Sequence, residues 1–179
     1  MGATTTKLMT FAEFEKLPDE VCRRHELRHG VLVEVPPPKY PHRLIQDRLV
    51  DLLKPLAGDG YVGLEFGFRT LPEGEYRTAD VVYIPRERHA AARGSDYFQG
   101  APDMVIEILS PSNTKAEMRE RAALCLANGC CEFWVLDETK RQVAVSMPDG
   151  SVTVYHSGDV IPLRLFGGAS LAVDEIFEK

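Results

Sequence analysis

Asp80 and Glu107 are the residues whose surroundings raise a chemical question. Asp80 lies inside the apolar run Thr78-Ala79-Asp80-Val81-Val82-Tyr83-Ile84, and Glu107 inside Met104-Val105-Ile106-Glu107-Ile108-Leu109. Short runs of this kind form buried strands, where an unpaired carboxylate costs so much free energy that it tends to take up a proton instead. An arginine partner or an exposed face would make the two acids structural. A divalent metal would make them ligands, because magnesium and manganese take oxygen donors and sit between one or two carboxylates with water filling the remaining positions. Glu26, beside the turn Arg28-His29-Gly30, is a third acid that only a constellation would raise above an ordinary surface residue.

Positive groups beside such acids would stabilise charge on a scissile phosphate or orient an attacking water. The segment after Glu107 offers Lys115, Arg119 and Arg121, each of which can equally be a solvated helix charge. His42 follows the proline run Pro36-Pro37-Pro38, where it can meet a phosphate, hydrogen-bond within a site, or cap a helix. Arg86, Arg88, His89 and Arg93 form a modest basic cluster, partly offset by Glu87 and Asp96, that suits either a nucleic-acid backbone or plain solvent.

The elements that must hold these residues can be read from periodicity and turn chemistry. Thr10 and Glu13 have capping-box spacing, which predicts a short helix from Phe11 to Leu17, stopped by Pro18. His25 to Val35 reads as a hairpin turning at Gly30. From His42, the residues Ile45, Leu49, Leu52, Leu53 and Leu56 share one face, with Arg43, Gln46, Asp47 and Asp51 elsewhere, giving an amphipathic helix that ends near Gly58. Tyr61 to Arg69 and Arg77 to Ile84 are two strands joined around Pro72-Glu73-Gly74, and 85–100 is a long polar segment read as a functional loop. Asp103 to Leu109 is a buried strand, Ala116 to Ala127 a helix stopped by Asn128-Gly129, and Glu132 to Leu136 a strand parallel to the previous one if that helix is a crossover. A hairpin of 142–147 and 151–155 follows, then an edge segment and the terminal stretch Val173 to Phe177.

Composition sets the outer bounds. A chain of 179 residues, 44% hydrophobic and 27% charged, fits one α/β domain without repeats, linkers or low-complexity tracts. The net charge of −6 argues against strong nonspecific nucleic-acid affinity, which depends on Lys and Arg releasing counterions, but leaves room for a local basic surface. Cys22, Cys125, Cys130 and Cys131 lack zinc-site spacing and read as buried free thiols in a reducing cytosol. No signal peptide and no membrane span is evident, so the expectation is a cytoplasmic protein.

The ordered string His25-Glu26-Leu27-x-x-Gly30, Pro36-Pro37-Pro38 leading to His42, Ala79-Asp80-Val81, Pro102-Asp103 through Glu107-Ile108-Leu109-Ser110-Pro111-Ser112, Asn128-Gly129 and Glu132-Phe133-Trp134-Val135-Leu136-Asp137 resembles the Uma-type putative restriction endonuclease family, a branch of the PD-(D/E)XK nuclease-like superfamily. The resemblance covers roughly residues 8–155. It implies a restriction-endonuclease-like mixed central β-sheet flanked by helices, with additional hairpins, and a metal-dependent endonuclease acting on DNA. It places Mg or Mn on Asp80, Glu107 and the backbone carbonyl of Ile108. Glu26 then matches a further acid of the site and Asp103 a structural one; beside such a site, His42, Arg86 and Arg88 are the expected substrate contacts from their charge and position. A homodimer follows as an expectation from nucleases that cut two strands. The position two residues beyond Glu107, where the superfamily carries its lysine, is Leu109. The family's displaced lysine falls on Arg121, which keeps the charge but does not readily release a proton, so Lys115 is the alternative. That departure keeps open a second reading, a nuclease fold that binds nucleic acid without cutting it.

Overall fold

The run around Glu107 forms the middle of a nine-stranded mixed sheet. The computed structural model of the protein describes residues 8–111 and 113–178, so Ser112 of the Ser-Pro-Ser stretch lies outside the described residues. The strands in chain order are β1 (His25–Arg28), β2 (Val31–Glu34), β3 (Tyr61–Thr70), β4 (Glu75–Ile84), β5 (Phe98–Gln99), β6 (Met104–Ile108), β7 (Glu132–Asp137), β8 (Gln142–Ser146) and β9 (Val152–His156). They run β2-β1-β4-β6-β7-β8-β9, with β3 against β4 and the short β5 parallel to β3. A separate two-stranded sheet pairs β10 (Val160–Leu163) with β11 (Ala169–Ala172).

β6 and β7 pair in parallel, joined by the crossover helix α5 (Lys115–Ala127), as the sequence predicts. Both strands are buried on two faces. Ile106, Trp134 and Leu136 enter one core cluster, with Ile45, Leu49 and Leu53 of the helix α3 (Tyr40–Leu53); Val105 and Phe133 enter the other, with Ala122 and Cys125 of α5. Each fully buried side chain of this size contributes about 1.5–3 kcal/mol, which fixes the register of the strands carrying the acids. A third cluster sets Phe11 and Phe14 of α1 (Phe11–Phe14) against Leu27, with Tyr76 and Tyr97 beside it. The C-terminal helix α6 (Val173–Phe177) closes the α3 side through Val173, Ile176 and Phe177.

Local chemistry sets most boundaries. Thr10 and Glu13 form the expected capping box on α1, but that helix stops at Phe14, and Pro18 opens a further short helix, α2 (Asp19–Cys22). The hairpin of β1 and β2 turns through His29 and Gly30, both with positive φ (50° and 75°), the combination a two-residue turn of matching twist requires. α3 begins two residues earlier than predicted, because Pro41 in its first turn needs no intrahelical donor. It ends in a 3₁₀ turn, Lys54–Leu56, around Pro55, so Leu56 remains exposed. Residues 85–100 differ from the expected loop: they hold a helix α4 (Arg86–Ala91) and β5, because Phe98 buries itself beside Phe68. Of the four free cysteines, Cys125 and Cys130 are buried whereas Cys22 and Cys131 are only partly covered. Among the described residues no helix is long and apolar enough to cross a membrane.

Candidate active site

The site occupies a fork in the sheet. Along one edge β4 pairs with β3 throughout; along the other, Tyr76 pairs with Leu27 of β1, and Val81, Val82 and Tyr83 pair with β6. Between these two neighbours Thr78 would leave its backbone groups without a ladder partner, and buried backbone donors and acceptors must be satisfied. Two long side chains do so. Thr78 N–H donates to Glu26 Oε1 at 2.8 Å, and Thr78 O accepts from Arg121 Nη2.

Glu26 and Arg121 are buried partners that reach this gap from opposite elements. Arg121 Nη2 lies 2.8 Å from Glu26 Oε1, while Arg28 Nε holds Glu26 Oε2 at 2.7 Å. Burial opposes ionisation of Glu26, but the Arg121 and Arg28 guanidinium groups outweigh it and hold its carboxyl below the usual range. Both Glu26 oxygens are thus met by guanidinium groups or the Thr78 amide. Its neighbour on the far side, Arg77, is likewise taken up by Glu75 at 2.9 Å and Glu120 at 3.1 Å.

Glu107 is differently placed. Its Oε1 lies 2.8 Å from Arg121 Nε, yet neither atom completes a hydrogen bond, so the contact is an ion pair without directional alignment. Burial pushes the Glu107 carboxyl well above its ordinary value, against the pull of Arg121 and with the added repulsion of Asp80. A buried carboxylate with an unpartnered oxygen, next to a second carboxylate, has the chemistry of a divalent-cation ligand.

Asp80 ties three elements together. Its Oδ2 accepts from the backbone N–H of Ile108 at 2.7 Å, and its Oδ1 is met by His42 Nε2 at 3.0 Å and Gln46 Nε2 at 3.1 Å. His42 and Gln46 are one helical turn apart on α3 and so share a face. Their reach to Asp80 depends on an irregularity in the strands. Val62 and Leu64 of β3 pack toward α3, but Phe66 and Phe68 pack toward α5, so the inward side reverses between them. The reversal falls at Glu65, whose φ is 47° and which lies opposite Asp80 in a register that is otherwise continuous. Left-handed backbone at a non-glycine strand residue is strained and concentrates at functional sites. The Glu65 carboxyl, hydrogen-bonded by Gln46, is raised by partial burial and by Asp80; the hydrogen bond and charge of Asp80 raise His42.

A cleft of about 350 Å³ opens beside this cluster, lined by Glu65 and Thr78 on the sheet, by Arg23, Arg24 and His25, and by Val35 to Pro38. The structure thus gathers Asp80, Glu107, Glu26, Arg121, His42 and the Ile108 backbone at the fork. It does not gather Arg86, Arg88 or Lys115. Arg86 and Arg88 follow the far end of β4, about 13 Å or more along the strand from Asp80. Arg86 pairs there with Asp59, and Arg88 with Asp103 and the Ala101 carbonyl. Lys115 is exposed on the first turn of α5, six residues and about 120° around the axis from Arg121. Two further residues of the cluster do not stand out in the sequence: Gln46, off the apolar face of α3 yet fully buried, and Glu65 within β3. The spacing of His42 and Gln46 was the available signal for the first; nothing local marks the second.

Among the described residues no group of three or more His, Cys, Asp or Glu side chains is gathered as a ready metal cage. A site here would rest on the Asp80 and Glu107 carboxylates, backbone oxygen and water. The comparisons with known proteins agree with this geometry at the level of fold. The family model Uma2, described as "Putative restriction endonuclease", matches residues 11–174. A crystal structure of a putative nuclease belonging to DUF820 from Anabaena variabilis superposes with a TM-score of 0.79 at 23% identity, covering 94% of this chain and 97% of that one. The curated proteins contain no match.

Proposed function

The chain belongs to the Uma2 family, and on that premise we propose that it is a divalent-metal-dependent nuclease hydrolysing DNA phosphodiester bonds at the fork where β4 passes from β1 to β6. The observation that carries the reading is Glu107: a buried carboxylate with an unpartnered oxygen and a raised pKa, facing Asp80 across adjacent strands. Asp80, Glu107 and the Ile108 carbonyl would hold Mg or Mn, which when bound supplies an acidified water and neutralises charge on the phosphate. The Ile108 amide fixes the orientation of Asp80, and His42 and Gln46 hold its second oxygen. Arg121 keeps Glu107 and Glu26 in place. With its guanidinium committed to Glu26, Glu107 and the Thr78 carbonyl, it is neither a proton acceptor nor a free phosphate clamp. Glu26 acts through Arg121 and is a positioning residue.

That same commitment of Arg121 favours one alternative, a nuclease fold that binds nucleic acid without cutting it. The two readings separate in a single assay on supercoiled, linear and single-stranded DNA with Mg or Mn, the Glu107→Gln protein run alongside. Metal-dependent cleavage by wild type and its loss in Glu107→Gln supports the enzyme; equal cleavage by both points to a contaminant. Absence of cleavage together with absence of metal binding leaves the noncatalytic reading.

A further inference from the structure

The cleft beside Asp80 has a size and lining that bear on what kind of nucleic acid reaches the fork. At about 350 Å³ it lies at the low end of small-ligand pockets, which span about 300–1,000 Å³. A nucleotide-sized group fits such a space; a paired duplex does not. Its lining includes Arg23 and Arg24 together with Thr78, two residues before Asp80 on β4, and Glu65, opposite Asp80 on β3. Arg23 has no ion pair among the described residues. Arg24 has only an exposed one, with Glu34 at 3.2 Å, so both are available to a phosphate at little cost. The cleft therefore brings two arginines close to the strand residues beside Asp80.

Apolar surface accompanies the cations. Pro36, Pro37 and Pro38 form the side of the cleft, and the chain continues directly into α3, where Tyr40 is 75% exposed and Leu44 50% exposed on either side of His42 in sequence. Tyr40 thus stands exposed two residues after the proline wall of the cleft and two before His42, which meets Asp80. Cationic grooves with exposed aromatics are the physical signature of single-strand binding, in which phosphates meet Arg and bases stack on rings.

We propose that this cleft receives a nucleotide freed from the stack, so that the substrate is a nucleic acid with an unpaired residue at the reaction centre. The inference rests on the nuclease reading for the role of the fork, but the cleft itself is a binding site that can be tested without cleavage. The unpaired nucleotide can come from a single strand or flap, or be extruded from a mismatched duplex.

The test is fluorescence anisotropy with labelled DNA of one sequence in four forms: single strand, duplex with an unpaired flap, duplex with a central mismatch, and fully paired blunt duplex. Each is measured in calcium to neutralise the carboxylates and again in EDTA. Single strand and flap are expected to bind about tenfold or more tighter than the blunt duplex. Tight binding of the mismatch duplex as well identifies extrusion as a source; its failure to bind limits the source to strands already open. Arg23→Ala/Arg24→Ala should lower the log–log salt slope for single strand by about 1.4, the share of two phosphate contacts. Tyr40→Ala should weaken it about fivefold or more through lost stacking. Arg86→Ala, at the far end of β4, should change nothing. All of these positions are exposed, so the variants keep the fold. Equal affinity for blunt duplex and single strand, or no DNA binding in either buffer, overturns the proposal even if metal-dependent cleavage is observed. Binding that is indifferent to the arginine pair does the same. Selective binding through Arg23 and Arg24 with no cleavage under any metal retains the cleft and removes the nuclease reading.

Discussion

Replacing Arg121 by methionine isolates the central electrostatic claim about this site. Arg121 is 6% exposed, and methionine matches much of its length without its charge. Its removal leaves Glu26 and Glu107, whose side chains are 1% and 9% exposed, without the cation between them, and leaves the Thr78 carbonyl without its donor. Arg28 still meets Glu26 Oε2, but Glu26 Oε1 loses its cation, whereas Glu107, with its raised pKa, can take up a proton. Removing one partner of a buried ion pair costs about 3–5 kcal/mol. A chain of 179 residues unfolds with an entropy of about 0.4 kcal/mol/K, so the melting temperature should fall by about 8–13 °C at pH 7. The pH dependence carries a sign. Glu26 is held below its ordinary pKa in the native protein, so its stabilising contribution is present above the unfolded carboxyl value and fades as pH falls through the folded one. Without Arg121 that contribution is lost, and the deficit should shrink as pH falls toward the carboxyl range. Glu107→Gln runs the opposite way. The Glu107 pKa is raised, so stability is lost as pH rises from the unfolded carboxyl value through the folded one; glutamine removes that loss while Arg121 retains Glu26. Its stability at pH 7 should be at least that of wild type. Calorimetric or circular-dichroism melts in EDTA at pH 7 and at pH 3.5, below the unfolded carboxyl value, read both variants. A fall of less than about 3 °C for Arg121→Met at pH 7, or a deficit as large at pH 3.5 as at pH 7, would refute the assignment of Arg121 as the counter-charge of the fork.

Further outcomes follow from other parts of the molecule. Mg or Mn should stabilise wild type by about 2.7 kcal/mol at a hundredfold excess over the dissociation constant, read as a higher melting temperature; Asp80→Asn and Glu107→Gln should abolish that increment, and its survival in either would remove that residue from the ligand set. Thr114→Ala deletes the capping box that starts α5 and should cost about 1 kcal/mol in urea unfolding, without altering metal binding, because the cap is a full turn and more from Arg121. Gly30→Ala places a Cβ at φ 75°, 2.8 Å from Leu8 Cβ, and should destabilise by about 1–2 kcal/mol or more, read as a lower urea midpoint.

How much of this was legible in advance can be judged at particular residues. The two acids stood out because they interrupt apolar strands, and the crossover between β6 and β7 followed from a helix between two buried runs. Arg121 reads in sequence only as one of several helix charges, and Gln46 only as lying off the apolar face, because sequence periodicity gives the face of a helix and not what stands opposite it. Arg86 and Arg88 were grouped with the site by charge, yet the length of β4 carries them to its other end, where Asp59 and Asp103 take them up.

Composition, hydrophobic spacing and turn residues determined which segments are strands and helices, since those depend on interactions within a few residues. They also determined that Asp80 and Glu107 needed compensation, because the cost of burying a carboxylate is local. Only the tertiary structure decided what the compensation is. It opens a fork where β4 changes partners, fills the fork with Glu26 and Arg121 from elements 95 residues apart in sequence, and turns the strand at Glu65 so that Asp80 meets α3. Those contacts join distant parts of the chain, and no short-range pattern encodes them.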